Sequence, residues 1–242
     1  MRNIWIIARK EYKQYFISPI AYAVAFMIFA IVGFIFYENI LAAIVQQFAP
    51  GIDVVLNPMV TILLFATPAI TMRMISEENR TGTMELLLTA PVRDSELMIG
   101  KWLGGFLFIV SILLVTWIYP LILNLLIKPG IDQGILISGY LGLFLLMGAL
   151  LAIGGAVSTL FSNQIAAFFA CLGVILIIWL IDIPAQASGS TGGLLTYLAL
   201  PEHFYNTFLL GVIDLKDVIY YLSVTAVALF LGTISIETRR WR

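Results

Sequence analysis

The stretch Ser76–Lys101, SEENRTGTMELLLTAPVRDSELMIGK, is the only long charged segment in a chain that is otherwise apolar. The residues on either side of it read as membrane, and its own charges read as a segment that lies in water and docks a partner. Of 242 residues, 61% are hydrophobic and 11% charged, against roughly 45–50% and 25% in soluble domains, which is too little polar surface to cover a globule of this size. Several apolar runs approach the roughly 20 residues that cross about 30 Å of hydrocarbon. The expectation is an all-α membrane protein, a single transmembrane domain over residues 1–242 with six spans. The formal charge of -1 says nothing about partners, because opposite charges are segregated along the chain. Cys171 is the single cysteine and sits in an apolar run, so the chain can form neither an internal disulfide nor a cysteine metal site.

Working from this segment toward the N-terminus, the second span is expected over Asn57 to Ile75. Thr67-Pro68 can kink it, and Thr61 and Thr71 can satisfy the freed backbone groups. The loop from Glu38 to Asn57 carries Glu38 and Asp53 but no Lys or Arg, and is expected outside. Ile20 to Tyr37 reads as the first span. Ahead of it, Ser18-Pro19 breaks the chain, because proline disfavours helical geometry in the residue before it. Residues 1–18 form an interfacial helix: from Asn3 to Phe16, a spacing of 100° puts Ile4, Trp5, Ala8, Tyr12, Tyr15 and Phe16 on one arc. Arg2, Arg9, Lys10 and Lys13 flank that arc and face anionic headgroups. With no small-residue cleavage site before Glu38, this end reads as retained rather than as a signal peptide.

Toward the C-terminus, Leu97 to Ile127 would be on the order of 46 Å long at 1.5 Å per residue, so this third helix must project from the membrane or bend at Pro120. Ile135 to Phe161 is the fourth span, with Gly142, Gly148, Gly154 and Gly155 permitting close helix approach. Ile165 to Ile181 is the fifth and Val218 to Ile236 the sixth. Between them Leu194 to Ile213 is long enough to cross, but Pro201-Glu202-His203 sits in its middle, where an acidic or basic residue costs about 2.5–3.5 kcal/mol or more. Residues 184–216 are therefore expected as an extracytoplasmic re-entrant hairpin. Basic residues test the count: with both termini and the charged segment inside, eleven (Arg2, Arg9, Lys10, Lys13, Arg73, Arg80, Arg93, Lys101, Arg239, Arg240, Arg242) face two outside, Lys128 and Lys216.

The chain has no G-x-x-x-x-G-K-[ST] phosphate loop, so any ATP energy comes from a partner. His203 is the only histidine, which leaves no zinc-protease or deaminase pattern, and it reads as a structural hydrogen-bonder. Serines in the spans have no partner base. Within the charged segment, Arg73 with Glu77 and Glu77 with Arg80 stand at helical spacing for ion pairs of roughly 0.2–0.5 kcal/mol. Gly82 can end that helix in a left-handed turn. Thr83 to Thr89 then forms a short helix with Met84, Leu87 and Leu88 on one face and Glu85 on the other. Pro91 stops it, and Asp94 or Ser95 caps the next helix. A solvated loop is the plainer reading, but Leu86-Leu87-Leu88 among charges suits a knob for a partner's groove.

From Glu77 to Val92, with Glu96 and Gly100-Lys101 following, the chain resembles the cytoplasmic motif of ABC-2 type transporter permeases. Arg9-Lys10-Glu11 ahead of Ser18-Pro19-Ile20-Ala21-Tyr22, the stretch Gly211 to Asp217 and the end Glu237 to Trp241 are similar to its gliding-motility-associated branch. The resemblance implies a subunit that dimerises with an identical or related permease and sits in the inner (plasma) membrane with both termini cytoplasmic. It implies binding of a separate ABC ATPase, which holds ATP and Mg, through a coupling helix within residues 76–96, and outward movement of a substrate. The coupling residues it implies are Glu77, Glu78, Arg80, Gly82, Thr83, Met84, Glu85, Leu86, Leu87, Leu88 and Pro91. It further suggests Phe65 and Thr67 of span two and Phe168 and Phe169 of span five as pathway residues.

Two functions are thus set against each other: an ATP-driven exporter, and a membrane anchor of a surface or motility machine that an ATPase regulates without transport. An enzyme lacks any catalytic constellation, and nothing points to nucleic acid. The few polar residues of the spans, mostly Thr, Ser and Asn124, fit an amphipathic, lipid-like or polypeptide cargo, or simply satisfy their own helices.

Overall fold

The computed structural model describes residues 2–83, 92–128, 130–183 and 192–240. Among these residues the chain is helical, without a strand. In order run α1 (Arg2–Ile17), α2 (Pro19–Gln46), α3 (Asp53–Thr71), α4 (Ser76–Thr81), α5 (Asp94–Thr116), α6 (Ile118–Leu126), α7 (Gln133–Ser158) and α8 (Gln164–Leu180). The short α9 (Gly192–Leu198), α10 (Leu200–Tyr205) and a 3-10 turn (Phe208–Leu210) lead into α11 (Leu215–Arg240).

Local chemistry sets most of these boundaries. Ser18 is extended at ψ 124°, and Pro19 opens α2 at a position where its missing N–H costs nothing. The first span is longer than predicted: α2 runs on past Tyr37 and Glu38 to Gln46. Asn39 to Val45 offers no breaker, and only Gln47, left-handed at φ 54°, turns the chain before Pro50-Gly51. The third helix is interrupted, and the break falls at Trp117 rather than at the expected Pro120. A proline ring clashes with the carbonyl four residues back, here Thr116, so the ladder breaks ahead of the ring. The cap of α5 also moves by one residue. Arg93, not Asp94 or Ser95, takes the cap position, and Glu96 reaches back to accept its N–H at 3.3 Å. Asp132 and Asn163 cap α7 and α8 through their side-chain oxygens.

Among the described residues five helical stretches are long and apolar enough to cross a membrane: Pro19–Gln46, Asp53–Thr81, Asp94–Leu126, Gln133–Ser158 and Leu215–Thr238. α8 is apolar but has 17 residues, about 25 Å at 1.5 Å each. α7 is the axis of the bundle and is buried along most of its length. Its glycines make this possible, as the sequence suggested for Gly142 and Gly154: a Cβ at Gly154 would stand 2.8 Å from that of Thr71 on α3, and one at Gly142 2.7 Å from that of Phe208. Of residues 184–216, expected as a re-entrant hairpin, 184–191 lie outside the described residues and 192–210 are helical pieces broken at Ala199. Phe204 and Phe208 are fully buried in the core they share with α7.

Candidate functional site

At the end of the bundle where α1 lies, three segments distant in sequence converge on one lysine. Lys101, 3% exposed on α5, donates to Glu11 Oε1 of α1 at 3.0 Å and to Glu78 Oε1 of α4 at 2.5 Å. One buried cation therefore satisfies two mostly buried carboxylates, and removing it strips both of their buried partner. Exposed Lys10 stands 3.8 Å from the same Glu11 oxygen. Burial, followed by the charges of Glu11 and Glu78, pushes the nearby Tyr15 hydroxyl well above its ordinary value.

α1 can reach Lys101 because α5 presents glycine where the two helices touch. A Cβ on Gly104 would lie 2.5 Å from the Glu11 Cβ and 3.0 Å from the Ala8 carbonyl, and one on Gly100 2.8 Å from the Ile7 Cβ. The seam is stitched along its length, with Asn3 donating to Glu96 at 3.0 Å and Tyr12 bonded to Ser111 at 2.9 Å. The face that α1 buries thus centres on Ala8 and Glu11. The predicted arc included Trp5 and Phe16, yet Trp5 is 57% exposed and Phe16 40%. Lipid or water takes those two side chains, while an acid turns inward.

α4 is tied to the rest of this end by further bonds. The backbone N–H groups of Ile75 and Ser76 both donate to Ser158 Oγ, and Asn79 donates to the Phe161 carbonyl. Thr159 donates to Ser235 at 2.7 Å, joining α7 to α11. Beneath this polar belt Met74, Ile75, Leu97, Met98 and Ile236 form a small apolar core.

The residues singled out from sequence fall as follows. Glu78 is in the triad, Glu77 is half-buried, and Arg80 and Thr83 are exposed. Gly82 ends α4 in the left-handed region at φ 71°, as expected. Met84, Glu85, Leu86, Leu87, Leu88 and Pro91, with the predicted helix over Thr83 to Thr89, lie outside the described residues. Among the described residues neither the Arg73–Glu77 nor the Glu77–Arg80 ion pair forms; α3 ends at Thr71, and a turn takes Arg73 out of helical register with Glu77. Arg73 donates instead to Ser18 Oγ at 3.2 Å. Of the pathway candidates, Phe65 and Phe169 face out of the chain, Phe168 packs edge-on against Phe169, and Thr67 is fully buried with its hydroxyl on the Leu63 carbonyl. Glu11 and Lys101 were not among the expected site residues. The signal that could have found Glu11 is its register, three residues after Ala8 and one before Tyr12 on the apolar arc.

At the opposite end His203 is hydrogen-bonded and buried, in keeping with the role expected of it. Its Nε2 donates to the Tyr197 carbonyl at 2.8 Å, its Nδ1 lies 2.7 Å from Asp217 Oδ1, and its ring stacks on Tyr220 at 3.9 Å. A carbonyl only accepts, so Nε2 carries hydrogen, and one further proton occupies the contact between Nδ1 and Asp217.

Among the described residues the chain is an all-helical bundle, and its apolar helices define a multi-pass integral membrane protein. Residues 49–210, well over half the chain, match the family model described as ABC-2 family transporter protein, and the chain belongs to that family. It is the membrane component of an ABC transporter and not itself an ATPase. Permeases of this family generally pair with an ABC ATPase and sit in the lipid bilayer. Compared with curated proteins, the chain finds no match.

Proposed function

We propose that the chain is the permease subunit of an ATP-driven exporter, in which a separate ATPase acts on residues 76–96 and the motion reaches the spans through Lys101. In this reading six spans cross the inner (plasma) membrane, with α8 as the short fifth. Both termini and residues 76–96 face the cytoplasm, and residues 184–216 re-enter from the outside. The partner holds ATP and Mg, and a second permease copy, identical or related, completes the membrane unit. ATP binding drives outward movement because the ATP-loaded partner has different affinities for two membrane conformations.

The observation that carries this reading is the triad of Glu11, Lys101 and Glu78, at 3.0 and 2.5 Å. Moving α4 away from α5 and α1 would strip a buried carboxylate of its cation, at a cost of about 3–5 kcal/mol. A surface pair resists with only about 0–1 kcal/mol. A push delivered through residues 82–91 therefore moves the three helices together. The test is ATP hydrolysis by the permease and its ATPase in lipid nanodiscs. Leu87→Asp, Glu85→Ala and Lys101→Met are each expected to lower permease-dependent hydrolysis by about tenfold, within the usual range of coupling energies. Unchanged rates in all three would overturn the coupling role. A phenotype in cells lacking the permease, but not in cells with a hydrolysis-dead ATPase, would favour the scaffold instead.

A further inference from the structure

Beside the triad is a cavity of about 490 Å³ lined by Lys10, Glu11, Gln14, Tyr15, Ser18, Arg73, Glu77, Glu78 and Lys101, among others. A second hollow of about 240 Å³ adjoins it across Tyr15, which lines both. The second hollow is almost wholly apolar, walled by Phe16, Ala21, Ala25, Phe29, Phe108 and Ile112. It lies deeper in the membrane: Phe108 and Val115 are about 10 and 21 Å along α5 from Lys101 at 1.5 Å per residue, within or near one leaflet's share of a 30 Å hydrocarbon core. A polar chamber at headgroup level above an apolar slot is the shape of a lipid.

The polar chamber also specifies which headgroup. Its lining holds three cations, Lys10, Arg73 and Lys101, against three carboxylates, Glu11, Glu77 and Glu78. Among the described residues two buried polar atoms on that lining have no partner, the donor Nε of Arg73 and the acceptor Oε2 of Glu78. An orphan donor and an orphan acceptor on one cavity call for a ligand that offers an acceptor and an N–H together. A phosphate with a primary ammonium answers both. An anionic headgroup leaves the carboxylates unanswered, and a quaternary ammonium has no hydrogen to give Glu78.

We propose that this two-lobed cavity binds a phospholipid of the phosphoethanolamine class. Arg73, Ser18 and Lys10 hold its phosphate, Glu77 and Glu78 hold its ammonium, and one acyl chain fills the slot below Tyr15. The lipid is a resident of the fold rather than its cargo. It wedges between α1, α2 and α5, so that the position of the interfacial helix depends on the membrane's composition. The inference rests on the chain's spanning a membrane and not on transport.

The test is lipid retention by the full chain in detergent, read by native mass spectrometry after delipidation and re-addition of phosphatidylethanolamine, phosphatidylglycerol or phosphatidylcholine in turn. Phosphatidylethanolamine is expected to stay bound in preference to the other two. Arg73→Ala, which removes a charged hydrogen-bond donor, and Ala25→Phe, which fills the slot, should each lower its retention by about tenfold. Phe230→Ala, on an exposed face of α11, should leave retention unchanged. Equal retention of phosphatidylglycerol or phosphatidylcholine overturns the proposal, as does wild-type retention in both cavity variants. Displacement by an equal concentration of soluble O-phosphoethanolamine assigns the site to a free metabolite and likewise overturns it. If Arg73→Ala does not fold, Ala25→Phe and the lipid panel decide alone.

Discussion

The two ends of the bundle bury charge in different ways. At the α1 end one lysine joins carboxylates from residues 11 and 78 to residue 101 of a third helix. At the other end His203 and Asp217 meet within a short stretch of chain, roofed by Tyr197, Tyr220 and Tyr221. The first arrangement ties together elements that sequence alone would let drift, and Lys10 and Arg73 line the cavity beside its two carboxylates. The second closes a local fold around a hydrogen-bonded histidine–aspartate pair. Long-range ionic ties transmit displacement between helices, and short-range aromatic cages hold a shape.

The largest way to break this contrast is Lys101→Met. It leaves Glu78 without its cation and Glu11 with exposed Lys10 alone, and should cost about 3–5 kcal/mol, read as a lowered melting temperature and faster proteolysis of α1. His203→Ala should cost less, about 1–3 kcal/mol for one stranded buried partner, and should loosen residues 192–210 while leaving α1 protected, as hydrogen exchange would report. Gly104→Leu should also cost about 1–3 kcal/mol by overpacking. Unlike His203→Ala, it should release α1, detected as lost protection of residues 2–17.

The smallest expected effect is one of pH. Burial, then the neighbouring Asp182 carboxyl, raises the Glu202 carboxyl above its ordinary value. The folded protein therefore keeps this proton where the unfolded chain loses it. Its contribution to stability is full below the ordinary carboxylate value and fades as pH rises through the raised one. Glu202→Gln should flatten that decline in melting temperature as pH rises above the ordinary carboxylate value of about 4, and an unaltered slope would assign it to another group.

Much of this architecture was legible in the chain. Ser18-Pro19, Gly82 and the glycines of α7 act through backbone geometry, which local sequence carries. The end of α2 was not legible, because Glu38 reads as a membrane boundary while the helix needs only the absence of a breaker to continue to Gln46. The triad was illegible for a different reason. Glu11, Glu78 and Lys101 are far apart in sequence, and nothing near each residue announces the other two. Only the approach of α1 over Gly100 and Gly104 brings them together.

Cys171 is the chain's single thiol, and it is 1% exposed on α8 against the Thr71 hydroxyl of α3. A thiol so enclosed is inert to aqueous maleimides. The natural protein thus supplies a silent background, and a cysteine introduced at an exposed position such as Glu38, Lys128 or Arg80 becomes the one labelled atom. Spin probes or fluorophores can follow each end of the bundle through a turnover cycle without first engineering any residue away.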